Sequence, residues 1–248
     1  MRLVTHHLTM PGSRPDNQDA VTQVFGQDFA LLALADGLSG QGEGAPAARC
    51  CVETVAEAFA RAPGLADADL QALVEAADRA VASVRVERQK TASSMRTTLV
   101  LLAVWHDAAR WAHVGDSRIY WFRDTVPMQR SRDHSVAELV AGLDDSSLAA
   151  PPDETDRNRL LRVVGAGEGC RPEFSETPIP LQPGDSFLLC SDGVWSLVSD
   201  SEIQHCLAAA RTPLEWCAAL EQRLQQRLGS QPRGKVDDYS MILAMVQP

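Results

Sequence analysis

Residues 97–123, TTLVLLAVWHDAARWAHVGDSRIYWFR, read as three strands in close succession: 97–105, 110–114 and 118–123. β-branched, aromatic and aliphatic residues dominate each run, and the links are too short for a crossover, so the strands are antiparallel neighbours. Upstream, FALLALA at 29–35 is a continuous apolar run too short for a helix, which predicts a strand buried on both faces that stops at Asp36-Gly37. Residues 186–190 form a similar run, ending at Ser191-Asp192-Gly193. Strands at 2–9 and 20–25, joined by turn material at 11–17, and a last strand at 239–246 bring both ends of the chain into sheets. That arrangement predicts a single domain over 1–248.

Helical patterning fills the gaps. A helix at 45–61 ends before Pro63-Gly64, and another beginning near Asp67 places Leu70, Leu73, Val74, Ala77, Val81 and Val84 on one side. A short helix starts near His134. Two more follow, with capping boxes at Ser199/Glu202 and Thr212/Glu215, the second reinforced by Pro213. Residues 143–158 are polar, acidic and aperiodic, and read as a flap-like loop.

Composition narrows the function. A net charge of −10 excludes unaided binding to nucleic acid or an anionic membrane, both of which need a basic face. No apolar run approaches the roughly 18 residues of a membrane span, and the N-terminus lacks a signal-peptide core. The six cysteines show no CxxC or disulfide spacing and read as reduced core thiols of a cytoplasmic protein; a monomer is expected.

Four acidic patches, Asn17-Gln18-Asp19, Asp36-Gly37, Ser191-Asp192-Gly193 and Asp237-Asp238, each open or close an apolar run. A carboxylate at the lip of a buried strand is costly unless a cation or hydrogen bonds neutralise it. Their recurrence predicts convergence on hard divalent ions, Mn²⁺ or Mg²⁺, which take oxygen ligands. Two such ions sharing a carboxylate, about 3.5–4 Å apart, lower the pKa of a water and make it a nucleophile toward phosphorus. Arg14 supplies a fork for the phosphate.

The ordered segments Gly12-Ser13-Arg14-Pro15-Asp16-Asn17-Gln18-Asp19, Ala35-Asp36-Gly37-Leu38-Ser39-Gly40, Thr97-Thr98-Leu99-Val100, Gly115-Asp116-Ser117-Arg118, Asp133-His134-Ser135, Ser191-Asp192-Gly193-Val194-Trp195 and Asp237-Asp238-Tyr239-Ser240 span nearly the whole chain. Together they resemble the PP2C (PPM) family of metal-dependent protein serine/threonine phosphatases in its short bacterial form. The resemblance implies an α+β, four-layer αββα sandwich of two antiparallel sheets flanked by helices. It also implies that Asp36 bridges two metals, with the Gly37 carbonyl completing one of them. Asp192 and Asp237 would bind the other, Asp19 would act through metal-bound water, Asp116 would serve a third metal, and Arg14 would hold the phosphate. The implied partners are phosphoproteins and a serine/threonine kinase that the enzyme opposes.

Other readings carry less. Gly40-Gln41-Gly42-Glu43-Gly44 lacks the Lys-Ser/Thr of a P-loop, and Cys217 and Arg223 have cysteine-phosphatase spacing inside a helix. His113 and His134 read as hydrogen-bonded structural residues. Leu38 stands where animal relatives carry a histidine proposed as general acid; Ser39 and Arg96 replace glycines, and Asp238 replaces a commoner asparagine. The alternatives are a catalytically weak phosphoprotein-binding module and a hydrolase of small phosphate esters.

Overall fold

A computed structural model of the chain describes residues 2–38, 43–91, 94–141, 159–229 and 236–248. The expected flap at 143–158 and Ser39-Gly40 lie outside the described residues. Twelve strands form along these stretches: β1 (Arg2–Met10), β2 (Asp19–Phe25), β3 (Phe29–Leu38), β4 (Arg96–Thr97), β5 (Leu99–Trp105), β6 (Ala108–Val114), β7 (Arg118–Arg123), β8 (Val126–Arg130), β9 (Glu173–Phe174), β10 (Ile179–Pro180), β11 (Asp185–Cys190) and β12 (Tyr239–Gln247). The helices are α1 (Gly44–Arg61), α2 (Asp67–Glu87), α3 (Val136–Ala141), α4 (Asp192–Trp195), α5 (Asp200–Ala209) and α6 (Pro213–Leu228).

One sheet has the order β1-β12-β11-β7-β8; the other runs β10-β6-β5-β3-β2, with β4 on β3 and β9 on β6. Every pairing is antiparallel. Strand alternation explains the layers. Leu32 and Leu34 of β3 meet Phe187 and Leu189 of β11 in the inter-sheet core, with Val100, Trp111 and Ile242. Leu31, Ala33 and Ala35 point the other way, onto Val52, Val55 and Phe59 of α1 and Val74 of α2. Leu188 and Cys190 likewise turn outward onto Ile203, Trp216 and Leu220 of α5 and α6. Both sides of these strands are covered, so both parities of their sequence are apolar.

Several boundaries differ from the sequence reading. The strand from Phe29 continues through Asp36-Gly37 to Leu38, because Gly37 N–H donates to Gln18 O and β4 pairs Thr97 with Gly37. The run from 97 breaks at Thr98, whose N–H donates to Asp36 O while its hydroxyl accepts from Asp36 N–H. β8 was not legible: VPMQR is almost wholly exposed and holds a proline, which only an edge strand tolerates. The hairpin before it turns at Asp124 and Thr125, with φ of 47° and 68°, the handedness tight hairpins require. Asp192 lies beyond the end of β11 at Cys190 and opens a helical turn. The Ser199 capping box is complete, whereas Glu215 accepts from Arg211 N–H, leaving Thr212 to cap alone.

The six cysteines are free thiols. Among the described residues, no helix is long and apolar enough to cross a membrane.

Candidate metal centre

Two strand ends from each sheet meet at one end of the sandwich. Asp19, the first residue of β2, lies directly opposite Asp36 in the β2–β3 register. Asp192 follows β11 and Asp237 precedes β12; these two strands are neighbours, and Ser191 N–H donates to Ser240 O at 3.0 Å. A serine bolts the sheets together: Ser191 Oγ donates to Asp19 Oδ2 at 2.8 Å and accepts from Ser240 N–H at 3.0 Å. Asp116 enters from the turn after β6, where Gly115 takes φ +100°.

The electrostatics of this end are unfavourable without a cation. Burial, followed by the neighbouring carboxylates, raises the pKa of Asp36 well above the usual range. Burial likewise pushes Asp19 up to about 7, with Asp192 and Asp238 adding to the rise. Asp116 rises to about 7 and Asp192 to about 6, burial again leading and a neighbouring carboxylate next. Oδ1 of Asp19, Oδ1 of Asp192 and Oε1 of Gln18 are buried without a hydrogen-bond partner. Acceptor oxygens crowded together and unmatched by donors are what a hard divalent ion neutralises. The residues present therefore fit the implied ions.

The structure brings Asp19, Asp116, Asp192 and Asp237 all within electrostatic range of Asp36. Gly37 and Gly44 back onto each other so closely that a Cβ on either would fall on the other's backbone. Arg14 also reaches the cluster, but its Nη1 pairs with Asp237 and lies 3.4 Å from Asp238. Asp237 is the most open of the acids, with a side chain 44% exposed.

Asp238, which stands where asparagine is commoner, is a buried anchor. Oδ1 accepts from Gly12 N–H at 2.7 Å and Oδ2 from Gln18 N–H at 2.9 Å, closing the loop that carries Arg14. Consecutive residues at a strand's start face opposite sides, so one member of an Asp-Asp pair there turns inward. Asp238→Asn leaves one of those donors facing an amide N–H₂, and is expected to destabilise the fold by roughly 1–3 kcal/mol. Chemical denaturation checks this; an unchanged midpoint refutes the anchor role.

His113 and His134 are hydrogen-bonded, as expected. His113 Nε2 bonds Arg132 O at 2.8 Å, and His134 Nδ1 accepts from Gly115 N–H at 3.1 Å. Their rings stack at 4.6 Å. Burial lowers both pKa values, that of His134 to about 3. With Glu173 they have metal-ligand spacing, yet Arg162 Nη1, 3.1 Å from His134 Nε2, already places a cation there.

Comparisons with known proteins agree with this architecture. The serine/threonine phosphatase stp of Listeria innocua is 28% identical over 214 residues, which is 84% of this chain and 81% of that protein. The serine/threonine protein phosphatase PstP of Mycobacterium tuberculosis is 32% identical over 197 residues, 78% of this chain and 36% of that longer protein. The solved catalytic domain of PstP in complex with two manganese ions superposes with a TM-score of 0.80 at 27% identity, covering 99% of both chains. A family model described as protein phosphatase 2C matches residues 13–229. With that match over most of its length, the chain belongs to the protein phosphatase 2C family.

Proposed function

We propose that the protein is a phosphoprotein phosphatase that hydrolyses phosphoserine and phosphothreonine esters with water activated between two divalent ions. The observation that carries this reading is the set of buried, donor-starved carboxylate oxygens at Asp19 and Asp192, beside the raised pKa of Asp36. Mn²⁺ or Mg²⁺ held there supplies Lewis acidity and a water acidic enough to ionise near neutral pH. Asp36, opposite Asp19 in the strand register and within the field of Asp192, would hold both ions, with the Gly37 carbonyl assisting at one; Asp192 and Asp237 would hold the other. Asp19, fixed by Ser191, would orient water, and Asp116 would serve a third ion. Arg14, now paired with Asp237, would hold the substrate phosphate when that carboxylate is engaged by a cation. Leu38 offers no proton, so the leaving alkoxide takes its proton from water. A serine/threonine kinase whose marks are reversed is the implied partner.

Turnover of p-nitrophenyl phosphate and of a phosphothreonine peptide, with manganese and after chelation, tests the reading. Metal-dependent cleavage of both is expected. A folded, manganese-treated protein with no turnover favours the phosphoprotein-binding module instead, and cleavage confined to small metabolites favours the ester hydrolase. Arg14→Ala is expected to lower kcat/KM by about 10- to 100-fold, the worth of one charge-assisted hydrogen bond set. The same manganese stoichiometry in the variant separates phosphate binding from metal ligation. Unchanged kcat/KM removes Arg14 from the phosphate site.

A further inference from the structure

The turn that carries Asp116 is gripped at each of its three residues. Gly115 N–H donates to His134 Nδ1 at 3.1 Å, and His134 N–H returns a bond to Gly115 O at 2.9 Å. The Ser117 hydroxyl bonds Thr98 Oγ1 at 2.7 Å, the same hydroxyl that receives Asp36 N–H at 2.9 Å. At the centre, the indole Nε1–H of Trp195 donates to Asp116 O at 2.9 Å. Trp195 is the last residue of α4, the short helix that Asp192 begins. Its ring is clamped from the other side: the Arg118 guanidinium lies 3.7 Å from the ring centroid, and forks onto Asp133 through bonds of 2.8 and 2.7 Å. Arg118 and Asp133 are nearly buried, which holds the indole in one orientation.

This arrangement has a specific chemical property. The indole bonds the backbone carbonyl of Asp116, so it fixes the turn without occupying either carboxylate oxygen. It also ties that turn to the very helix that presents Asp192, whereas the Thr98 link ties it to Asp36. Asp116 thus has its position set by two elements that each carry another acid of the centre.

We propose that Trp195 is the positioning residue of Asp116: its indole N–H couples the 115–117 turn to α4, so that Asp116 and Asp192 present to a common divalent cation. The inference rests on the metal reading given above and deepens it. A merely space-filling tryptophan needs only its ring; a positioning tryptophan needs the N–H. Trp195→Phe keeps a ring over Arg118 and deletes the donor. Manganese binding to this variant, followed by the electron paramagnetic resonance of free Mn²⁺, is expected to show the tighter ions retained and the weakest ion's Kd raised by roughly tenfold or more, the usual cost of losing a support behind a metal ligand. Asp116→Ala is expected to give the same loss, and the double variant no more than either alone, because the two act in series.

A Trp195→Phe isotherm that superposes on that of the unaltered protein overturns the inference, as do effects that add in the double variant. If Trp195→Phe does not fold, the unaltered protein still decides. Its Trp195 indole N–H resonance is expected to shift with the weakest Mg²⁺-binding step, and to lose that response in Asp116→Ala; a response that survives the Asp116 change overturns the coupling. An unaltered protein that takes up no manganese overturns the metal centre itself and the inference with it. A normal isotherm in the unaltered protein beside an unmoved Trp195→Phe overturns the inference alone.

Discussion

Asp36→Asn is expected to cut turnover by about three orders of magnitude, the equivalent of the several kcal/mol that paired ions contribute to a phosphoryl-transfer barrier. The same change is expected to raise the melting temperature of the metal-free protein. Asp36 sits opposite Asp19 on the neighbouring strand and within the field of Asp192, Asp116 and Asp237, all carboxylates and all raising its pKa behind the leading effect of burial. An amide there removes one charge from that repulsion while keeping the shape and the backbone bonds to Thr97 and Thr98. Each kcal/mol of relief is worth about 2–4 °C in a chain of this size. Opposite signs for activity and stability are the signature of a ligand that the fold tolerates only for its chemistry. Near-normal turnover, or a metal-free variant that melts lower, refutes the assignment of Asp36.

Metal removal is the second large effect, and its size depends on pH. In the folded, metal-free protein Asp19 and Asp116 hold protons up to about pH 7 and Asp192 to about 6, against an ordinary carboxylate value of 3.8. Between those limits the folded chain binds more protons than the unfolded chain, so stability falls as pH rises. The contribution is fully present below pH 3.8 and is lost as pH climbs through 6 and 7. On the function proposed above, divalent ions would replace the protons. At a concentration about a hundred times Kd, binding contributes about 2.7 kcal/mol per site, or about 5–10 °C in melting temperature. Calorimetry with chelator and with manganese, near pH 5 and near pH 7.5, is expected to show the greater gain at the higher pH. Equal gains, or a metal-free protein more stable near pH 7.5 than near pH 5, refute the account.

The sandwich was legible because both of its faces left marks. FALLALA at 29–35 has no polar parity, and in the fold Leu32 faces the opposing sheet while Leu31 faces α1. The acids were legible because each interrupts such a run. What the sequence hid was local and three-dimensional. Asp238 looks like its neighbour in one dimension, and only the loop folding back onto it reveals two backbone donors waiting for its oxygens. β8 escaped notice because an exposed edge strand needs neither alternation nor apolar residues. The pairing of Arg14 with Asp237 also lay beyond reach, since it joins residues 223 apart in the chain. The three-residue extension of the strand from Phe29 and the break at Thr98 came from Gly37 and Thr98, where hydrogen bonds across elements, rather than propensity, decide where a strand stops.

The final strand has one more implication. β12 inserts between β1 and β11 and delivers Asp237 and Asp238 only as it enters. Because β12 pairs with β1 on one side and β11 on the other, displacing that one strand would break two ladders and unseat Asp238 from the Gly12 and Gln18 amides together.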